Sequence, residues 1–269
     1  MLTVREARTE KTRLIIDRLW CVTDPGADGE ETILPSGRVQ IIFSLSGRPL
    51  STTEASALQI LQGPSTLPRR VSRKSQSSLC GVSFKPGGAG PLFAPIDRVT
   101  DRVADLAHFW GDGAARLRDQ LQTLETHEAR LDRLEDETGK HIGDTTEAVT
   151  VTRALERLGT GAAIKDVCRE LGLSPHLFRR LFLRNVGLTP KLHLRVERFR
   201  AALNLLSPDA SLSDVAFQAQ FSDQPHMTRE VEQFAGVTPG RLQAIPRPHP
   251  GHVRGRRQFS FKTRFGGRD

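Results

Sequence analysis

The chain has 269 residues, of which 37% are hydrophobic and 26% are charged. At roughly 150 residues per domain this length predicts two domains, and the composition supplies enough apolar residues for buried cores, which excludes a wholly disordered chain. No apolar run approaches the ~18 residues of a membrane span, and the charged start of the chain is unlike a signal peptide. We therefore expect a cytoplasmic protein with no membrane partner.

The net charge of +8 is distributed unevenly along the chain. Most of the basic residues are arginine (32 against 7 lysines) and tyrosine is absent, so coding bias alone could explain the total. The net charge is −1 over residues 1–160, +3 over residues 161–244 and +6 over residues 245–269. Coding bias alone does not predict this asymmetry, so the basic charge is a C-terminal feature of the chain.

Cysteine and histidine positions argue against a metal site. Cys21, Cys80 and Cys168 lie far apart without CxxC spacing, which predicts buried thiols in a reducing compartment rather than a zinc module. The first histidine is His108, so residues 1–107 cannot supply the imidazole cluster of a metal enzyme. We expect no metal and no cofactor.

Strand and turn signals dominate the first 100 residues. Apolar, β-leaning runs occur at residues 13–22, 33–43 and 79–84. The glycine-rich segment 85–91 follows, and it lacks the GxxxxGK[ST] order of a phosphate-binding loop. It is therefore interpreted as a structural turn.

Helical periodicity begins near residue 99. The apolar positions are Leu106, Phe109, Trp110, Leu117, Leu121, Leu124, Leu131 and Leu134. Glu128 and Glu135 interrupt this seam, which favours a helical pair packed on the sheet, with a dimer surface as the alternative. The polar segment 136–145 is the predicted linker between two domains.

A helix, a turn and a second helix are predicted between residues 164 and 185. The apolar face of the first helix consists of Ile164, Val167, Cys168 and Leu171. Gly172 then ends the helix, and Ser174-Pro175 starts the next one by capping. The second helix, at about residues 175–185, carries His176, Arg179, Arg180 and Arg184. This is a helix-turn-helix arrangement, whose second helix can enter the major groove of DNA.

The same plan recurs about 48 residues further on. The apolar face of its first helix consists of Leu212, Val215, Ala216 and Ala219. Its second helix, at about residues 223–234, carries Gln224, His226 and Arg229. Between the two units, residues 190–206 predict a connecting helix of ~25 Å, which would let one chain read adjacent major-groove segments.

Four separated motifs then stand in order over about 100 residues. They are LSPHLFRRLF at 173–182, GLTP at 187–190, RVERFRAA at 195–202 and GVTP at 236–239. Together they resemble the AraC/XylS family of bacterial-type transcriptional regulators. The resemblance implies that residues 145–244 are a DNA-binding domain with two helix-turn-helix units.

The same resemblance implies which side chains contact DNA. The base-contacting residues would be His176, Arg179, Arg180, Gln224, His226 and Arg229. Arginine is suited to bidentate reading of guanine O6 and N7. The phosphate-contacting residues would be Arg184, Thr189 and Lys191, which position the protein without reading sequence.

The second unit departs from the family pattern. Gln220 stands where the family has glycine, and its backbone would be strained if that position needs a positive φ. Met227 and Val231 stand where the family has aromatic residues, and both keep the position apolar. The docking of the second unit on DNA is therefore less well determined than that of the first.

The N-terminal part is similar, more faintly, to an uncharacterised domain that precedes such units in one branch of the family. The similar segments are 34–47, 81–93 and 109–111. By analogy we expect an α+β chain, with a β-rich, cupin-like domain and following helices at residues 1–140 and an all-α domain at 145–244. Residues 245–269 form a basic tail expected to be disordered, either a DNA-affinity arm or an inert extension.

The sequence thus predicts a sequence-specific transcriptional regulator that binds double-stranded promoter or operator DNA and is not an enzyme. A small-molecule effector and a homodimer are further expected partners, through residues 1–140. Two alternatives stay open: a non-specific architectural DNA binder that uses the basic tail, and an enzyme with an accessory helical domain. The effector, the operator and the direction of regulation do not follow from the sequence.

Overall fold

A computed structural model describes residues 1–24, 28–51, 56–245, 247 and 251–254. The strands are β1 (Leu2–Arg5), β2 (Ile16–Thr23), β3 (Glu30–Ile33), β4 (Gln40–Ser44), β5 (Leu50–Ser51), β6 (Ser56–Ala57), β7 (Gln59–Gln62), β8 (Arg69–Ser72), β9 (Ser78–Phe84), β10 (Val103–Asp105) and β11 (His252–Arg254). The first helices are α1 (Glu10–Arg13), α2 (Gly90–Phe93), α3 (Ala107–Trp110), α4 (Asp112–Thr123), α5 (His127–Lys140) and α6 (Thr146–Gly159). The later helices are α7 (Ile164–Glu170), α8 (Pro175–Val186), α9 (Pro190–Leu205), α10 (Leu212–Gln218), α11 (Gln224–Ala235) and α12 (Pro239–Gln243), and short 3-10 helices lie at Arg73–Gln76 and Ile96–Val99.

The contacts divide the chain into two compact units. The N-terminal unit comprises the described residues of Met1–Asp28, Gly37–Pro64 and Arg73–Pro190. The C-terminal unit comprises Gly29–Ser36, Ser65–Ser72 and the described residues of Lys191–Asp269. This division differs from a linear boundary at residues 140–145. Helices α6 and α8 pack against α2, α8 also packs against the 3-10 helix at Ile96–Val99, and α7 packs against α6 and α8.

A six-stranded sheet organises the N-terminal unit, in the order β1-β2-β9-β4-β7-β10. Every neighbouring pair is antiparallel, with Cys21 opposite Cys80 and Ile41 opposite Val82. Strands β2, β4 and β9 fall on the apolar runs that predict them. The shorter strands β1, β7 and β10 escape prediction because they are too brief to show a period. The fold class is therefore the predicted α+β class, with a β-rich domain followed by helices.

Helices α4 and α5 pack on this sheet. Leu117, Leu121, Leu131 and Leu134 are buried in the same core cluster as Phe43 on the sheet. The leucine seam therefore lies inside the chain's own core, as the packing interpretation predicts. Phe109, expected on the same apolar face, is 39% exposed.

The predicted linker at residues 136–145 is wrong in its first half. Helix α5 continues to Lys140, and Thr138 is fully buried within it. His141 then stacks on Trp110, with ring centroids 4.2 Å apart. Burial and stacking thus outweigh the polar, glycine-containing composition, and α6 begins only five residues after His141.

The expectation that all three cysteines are thiols is also corrected. Cys21 and Cys80 occupy paired positions on β2 and β9, with Cα atoms 4.2 Å apart, and their sulfur atoms are bonded as a disulfide. The sequence separation of 59 between the two cysteines hides this proximity. Cys168 is the buried free thiol that its helical position predicts.

A small sheet of order β11-β3-β8 belongs to the C-terminal unit, together with α10, α11, α12 and nearly all of α9. Strand β11 lies in the segment expected to be a disordered tail, and it pairs with β3 so that Val253 lies opposite Thr32. Backbone pairing and the burial of Val253 account for this order. Residues 255–269 of the predicted tail lie outside the described residues.

Within the described ranges, no helix is long and apolar enough to cross a membrane. The same ranges contain no group of three or more His, Cys, Asp or Glu side chains that could hold a metal ion.

The buried carboxylate of Glu135 ties the N-terminal segment to α5. Glu135 is only 3% exposed, and it accepts hydrogen bonds from Arg5 Nη1 at 2.6 Å, Thr12 Oγ1 at 2.6 Å and the Arg8 backbone N–H at 2.7 Å. Burial alone would raise the pKa of this carboxyl, but the hydrogen bonds from Thr12, Arg5, Arg8 and Thr9 lower the pKa below its ordinary value.

Replacing Glu135 with glutamine should destabilise the chain by about 2–3 kcal/mol at neutral pH, because charged hydrogen bonds to buried donors are lost. The ionised carboxyl stabilises the fold above its ordinary pKa of 4.5, and this contribution is lost as the pH falls through the lowered native pKa. Denaturant unfolding should therefore show a difference between wild type and Glu135→Gln that is constant above about pH 5 and shrinks below it. Asp132→Asn, which removes a 45% exposed partner of Arg5, is the control and should cost less than about 1 kcal/mol. An equal loss in both variants would contradict this account.

Candidate nucleic-acid interface

The first helix-turn-helix is formed by α7 and α8. After α7, Gly172 adopts φ +65°, and the N–H of Leu173 donates to the Cys168 carbonyl at 2.9 Å, which is a Schellman ending. Ser174 then caps α8, because its Oγ accepts from the Leu177 N–H at 3.2 Å. The glycine that ends the first helix and the serine that caps the second are therefore both present where the sequence predicts them.

Helix α8 has one buried and one exposed face. Phe178 and Phe182 are fully buried with their ring centroids 5.0 Å apart. His176, Arg179 and Arg180 are exposed. Within the described part of the chain, none of these three side chains forms a hydrogen bond or ion pair, so their donors are available to a partner.

The glycine-rich loop after β9 is where this helix-turn-helix packs on the N-terminal domain. A Cβ on Gly90 would lie 2.1 Å from Asn185 Oδ1 on α8, and a Cβ on Gly87 would lie 2.6 Å from Val151 Cγ1 on α6. Asn185 is buried and donates to Glu147 at 2.8 Å. The loop is thus a structural turn, as predicted, and its glycines permit close approach of two helices.

The C-terminal end of α8 meets a second contact at Gly187. This residue has φ +81°, and its carbonyl accepts a hydrogen bond from Thr100 Oγ1 at 2.7 Å. A Cβ there would lie 2.7–2.9 Å from Pro64, Thr100 and Ile96. Only glycine meets both the backbone and the packing requirement, which fixes the end of α8.

The three predicted phosphate contacts differ in their surroundings. Arg184 is exposed, and its Nε donates to Glu147 at 3.2 Å across a solvent-exposed ion pair. Thr189 immediately precedes α9 and is partly exposed, whereas Lys191 is exposed in the first turn of that helix. The exposed pair of Arg184 is weak enough for a phosphate to compete with Glu147.

The second helix-turn-helix, α10 and α11, repeats the first with one more residue in the turn. Gln220 adopts φ +61°, and the Phe221 N–H donates to the Ala216 carbonyl at 2.9 Å. Two residues, Phe221 and Ser222, then precede the cap Asp223, where the first unit has Leu173 alone. Asp223 Oδ1 accepts from the His226 N–H at 2.6 Å. The positive φ considered for Gln220 is therefore real.

Two of the three base-contact candidates of the second unit have partners within the chain. Gln224 Oε1 accepts from Ser213 Oγ at 2.9 Å. The His226 ring lies 2.9 Å from Ser222 Oγ through Nδ1 and packs edge-on against Phe221. Arg229 is exposed and forms no hydrogen bond or ion pair within the described ranges.

Sequence reasoning missed the ion pair that joins α9 to α11. Arg195 donates through Nε to Glu230 at 2.9 Å, and its guanidinium lies 5.3 Å from the Phe234 ring centroid. Both members of the pair are largely buried. Arg195 belongs to one of the motifs that resemble the AraC/XylS family. In this structure the Arg195 side chain stabilises the position of α11 against α9. A buried partner for an arginine cannot be identified from spacing alone.

The two turns allow a matched test of backbone strain. A side chain in the left-handed region costs about 1–2 kcal/mol, whereas glycine costs some unfolded-state entropy. Gln220→Gly should therefore raise the free energy of unfolding by about 0.5–1 kcal/mol, measured by chemical denaturation.

Gly172→Ala is the complementary variant, because nothing lies within 4 Å of a Cβ there and only the backbone strain is added. It should lower the free energy of unfolding by about 1 kcal/mol. A destabilised Gln220→Gly variant would show that Gln220 makes contacts worth more than its strain.

Comparison with known families supports this geometry. Residues 167–245 match a family described as a helix-turn-helix domain, and residues 12–105 match a family described as a domain of unknown function (DUF6597). The first match covers the end of α7 and every later helix, and it includes both turns described above.

One curated relative is the HTH-type transcriptional regulator ExsA of Pseudomonas aeruginosa, which is 33% identical over 79 residues. That match covers 29% of this chain and 28% of the relative, so it concerns one domain and not the whole protein.

Among solved structures, ToxT of Vibrio cholerae aligns over 90% of this chain and 98% of its own, with 9% identity and a TM-score of 0.41. An apo structure of a ToxT variant from the same organism aligns over 91% of this chain and 96% of its own, with 11% identity and a TM-score of 0.40. Residues 167–245 therefore form a helix-turn-helix domain, as the sequence predicts.

Proposed function

We propose that this chain is a sequence-specific DNA-binding transcriptional regulator. The observation that carries the proposal is the repeated position of one arginine. Arg180 lies six residues after the cap Ser174, and Arg229 lies six residues after the cap Asp223. Both side chains are exposed without a partner among the described residues, and arginine at such a site matches the O6 and N7 acceptors of guanine.

The remaining base-contact candidates divide into two classes. His176 and Arg179 are exposed beside Arg180 and are proposed to read neighbouring bases. Gln224 and His226 are held by side chains of their own unit, which fixes their orientation before DNA arrives. Pre-oriented groups lose less freedom on binding, so both remain candidates for base contact.

Three further residues are proposed to contact phosphate. They are Arg184, Thr189 and Lys191, which lie at the end of α8 and at the start of α9. The N-terminus of a helix offers free backbone N–H groups to an anion, and contacts of this kind position the protein without reading bases.

Residues 1–140 are proposed to bind a small-molecule effector or to mediate dimerisation. Support comes from the contacts between α8 and the N-terminal domain through Gly90, Thr100 and Ile96. Any ligand that shifts these segments would shift α8 directly, because the segments and α8 are in close contact at the glycine positions. The enzyme alternative gains no support, since the curated relative is named as a transcriptional regulator.

Arg180→Ala tests specific base reading. Selection of bound sequences from a random pool should show that the variant loses preference at one base pair, by about 5- to 100-fold, while its affinity for unselected DNA changes little. Lys191→Ala is the control, and it should weaken binding to all sequences and reduce the salt slope by about 1. Equal losses on all sequences for Arg180→Ala would instead favour the architectural alternative.

The tail alternative is tested by a deletion that spares strand β11 and the contacts of Arg247. Arg247 donates to the Leu203 carbonyl at 3.0 Å near the end of α9, and β11 pairs with β3. Removing residues 255–269 keeps these contacts and deletes five basic residues. If the tail is a DNA arm, the slope of log affinity against log salt should fall by about 0.9 per phosphate contact. An unchanged slope would identify residues 255–269 as an inert extension.

A further inference from the structure

Helix α8 exposes an apolar side chain that the base-contact residues do not explain. Leu177 is 41% exposed although the neighbouring Phe178 is fully buried. Its backbone N–H donates to Ser174 Oγ, so Leu177 lies in the capped first turn of the helix. The N-terminal turn of a recognition helix is the part that reaches base edges in the major groove.

The position of Leu177 on the helix surface places it beside the proposed guanine reader. Leu177, Arg180 and Arg184 follow i, i+3 and i+7 spacing, which puts them along one ridge of α8. Three residues correspond to about 4.5 Å along a helix axis, close to the ~3.4 Å step between base pairs. A base pair next to the one read by Arg180 therefore lies within reach of Leu177.

Leucine has no donor or acceptor, so its partner on DNA must be apolar. The largest apolar group that an unmodified base presents in the major groove is the C5-methyl of thymine. We infer that Leu177 is a specificity-determining residue that contacts the methyl group of a thymine next to the base read by Arg180. This inference rests on the proposed function and names one base of the recognised sequence.

Deoxyuridine provides the sharpest test, because it differs from thymidine only by that methyl group. The DNA is the sequence that the full-length wild-type chain selects from a random pool, with each thymine replaced singly by deoxyuridine. One replacement, next to the position governed by Arg180, should weaken wild-type binding by about three- to fivefold, the value of one desolvated methyl group.

The variant Leu177→Ala should bind the thymine and deoxyuridine sites equally, whereas Leu177→Met should retain part of the preference. Phe217→Ala is the control, because Phe217 is an 84% exposed apolar residue on α10 that lies outside α8, and it should keep the wild-type preference. Circular dichroism spectra and thermal unfolding curves are measured for each variant to check that it is folded.

Two results would overturn the inference: no deoxyuridine replacement near the Arg180 position affects the wild type, or Leu177→Ala keeps the full thymine preference. Failure of the proposed function would look different, because the wild-type chain would then select no sequence from the pool at all. A preference for thymine that Arg180→Ala retains, with its guanine preference lost, would show that the two residues read separate bases.

Discussion

The close contact between α8 and the N-terminal domain is the constraint on which the first helix-turn-helix depends. Gly187 ends the helix with a positive φ, and its carbonyl is held by Thr100 in a space that a Cβ would overfill. In the same last turn of α8, Asn185 fits against Gly90 and donates a hydrogen bond to Glu147. Because the buried face of α8 is fixed in this way, its opposite face presents His176, Arg179 and Arg180 to solvent.

The second helix-turn-helix reaches a similar result by other contacts. A largely buried pair between Arg195 and Glu230 joins α9 to α11, and the Phe199 and Phe234 rings pack 5.2 Å apart between these helices. Its turn is one residue longer and carries Gln220 in a conformation that favours glycine. The extra residue, Ser222, contacts the His226 ring. The two helix-turn-helix units therefore share the Schellman ending of the first helix and an arginine six residues after the cap of the second helix. They differ in the contacts that fix the second helix.

Prediction from sequence succeeds where local chemistry decides the structure. Capping residues and αL glycines such as Ser174 and Gly172 locate both helix-turn-helix units to within about a residue, because hydrogen bonds of a helix end lie within four residues. Prediction from sequence fails where contacts between distant segments determine the structure. The disulfide of Cys21 and Cys80, the pairing of β11 with β3, and the buried pair of Arg195 all join residues that no local pattern connects. The predicted linker fails for the same reason, since stacking of His141 on Trp110 accompanies a helix that composition alone would end.

The central claim is that exposed arginines on α8 and α11 read guanines in the major groove. Methylation interference tests it most directly: a DNA selected by the chain is methylated at guanine N7, and bound molecules are separated from free ones. The account predicts that methylation at a few defined guanines abolishes binding, because N7 is an acceptor that arginine uses. Binding that is insensitive to N7 methylation, and weakened only when phosphates are ethylated, would contradict it and leave a protein that recognises the DNA backbone alone.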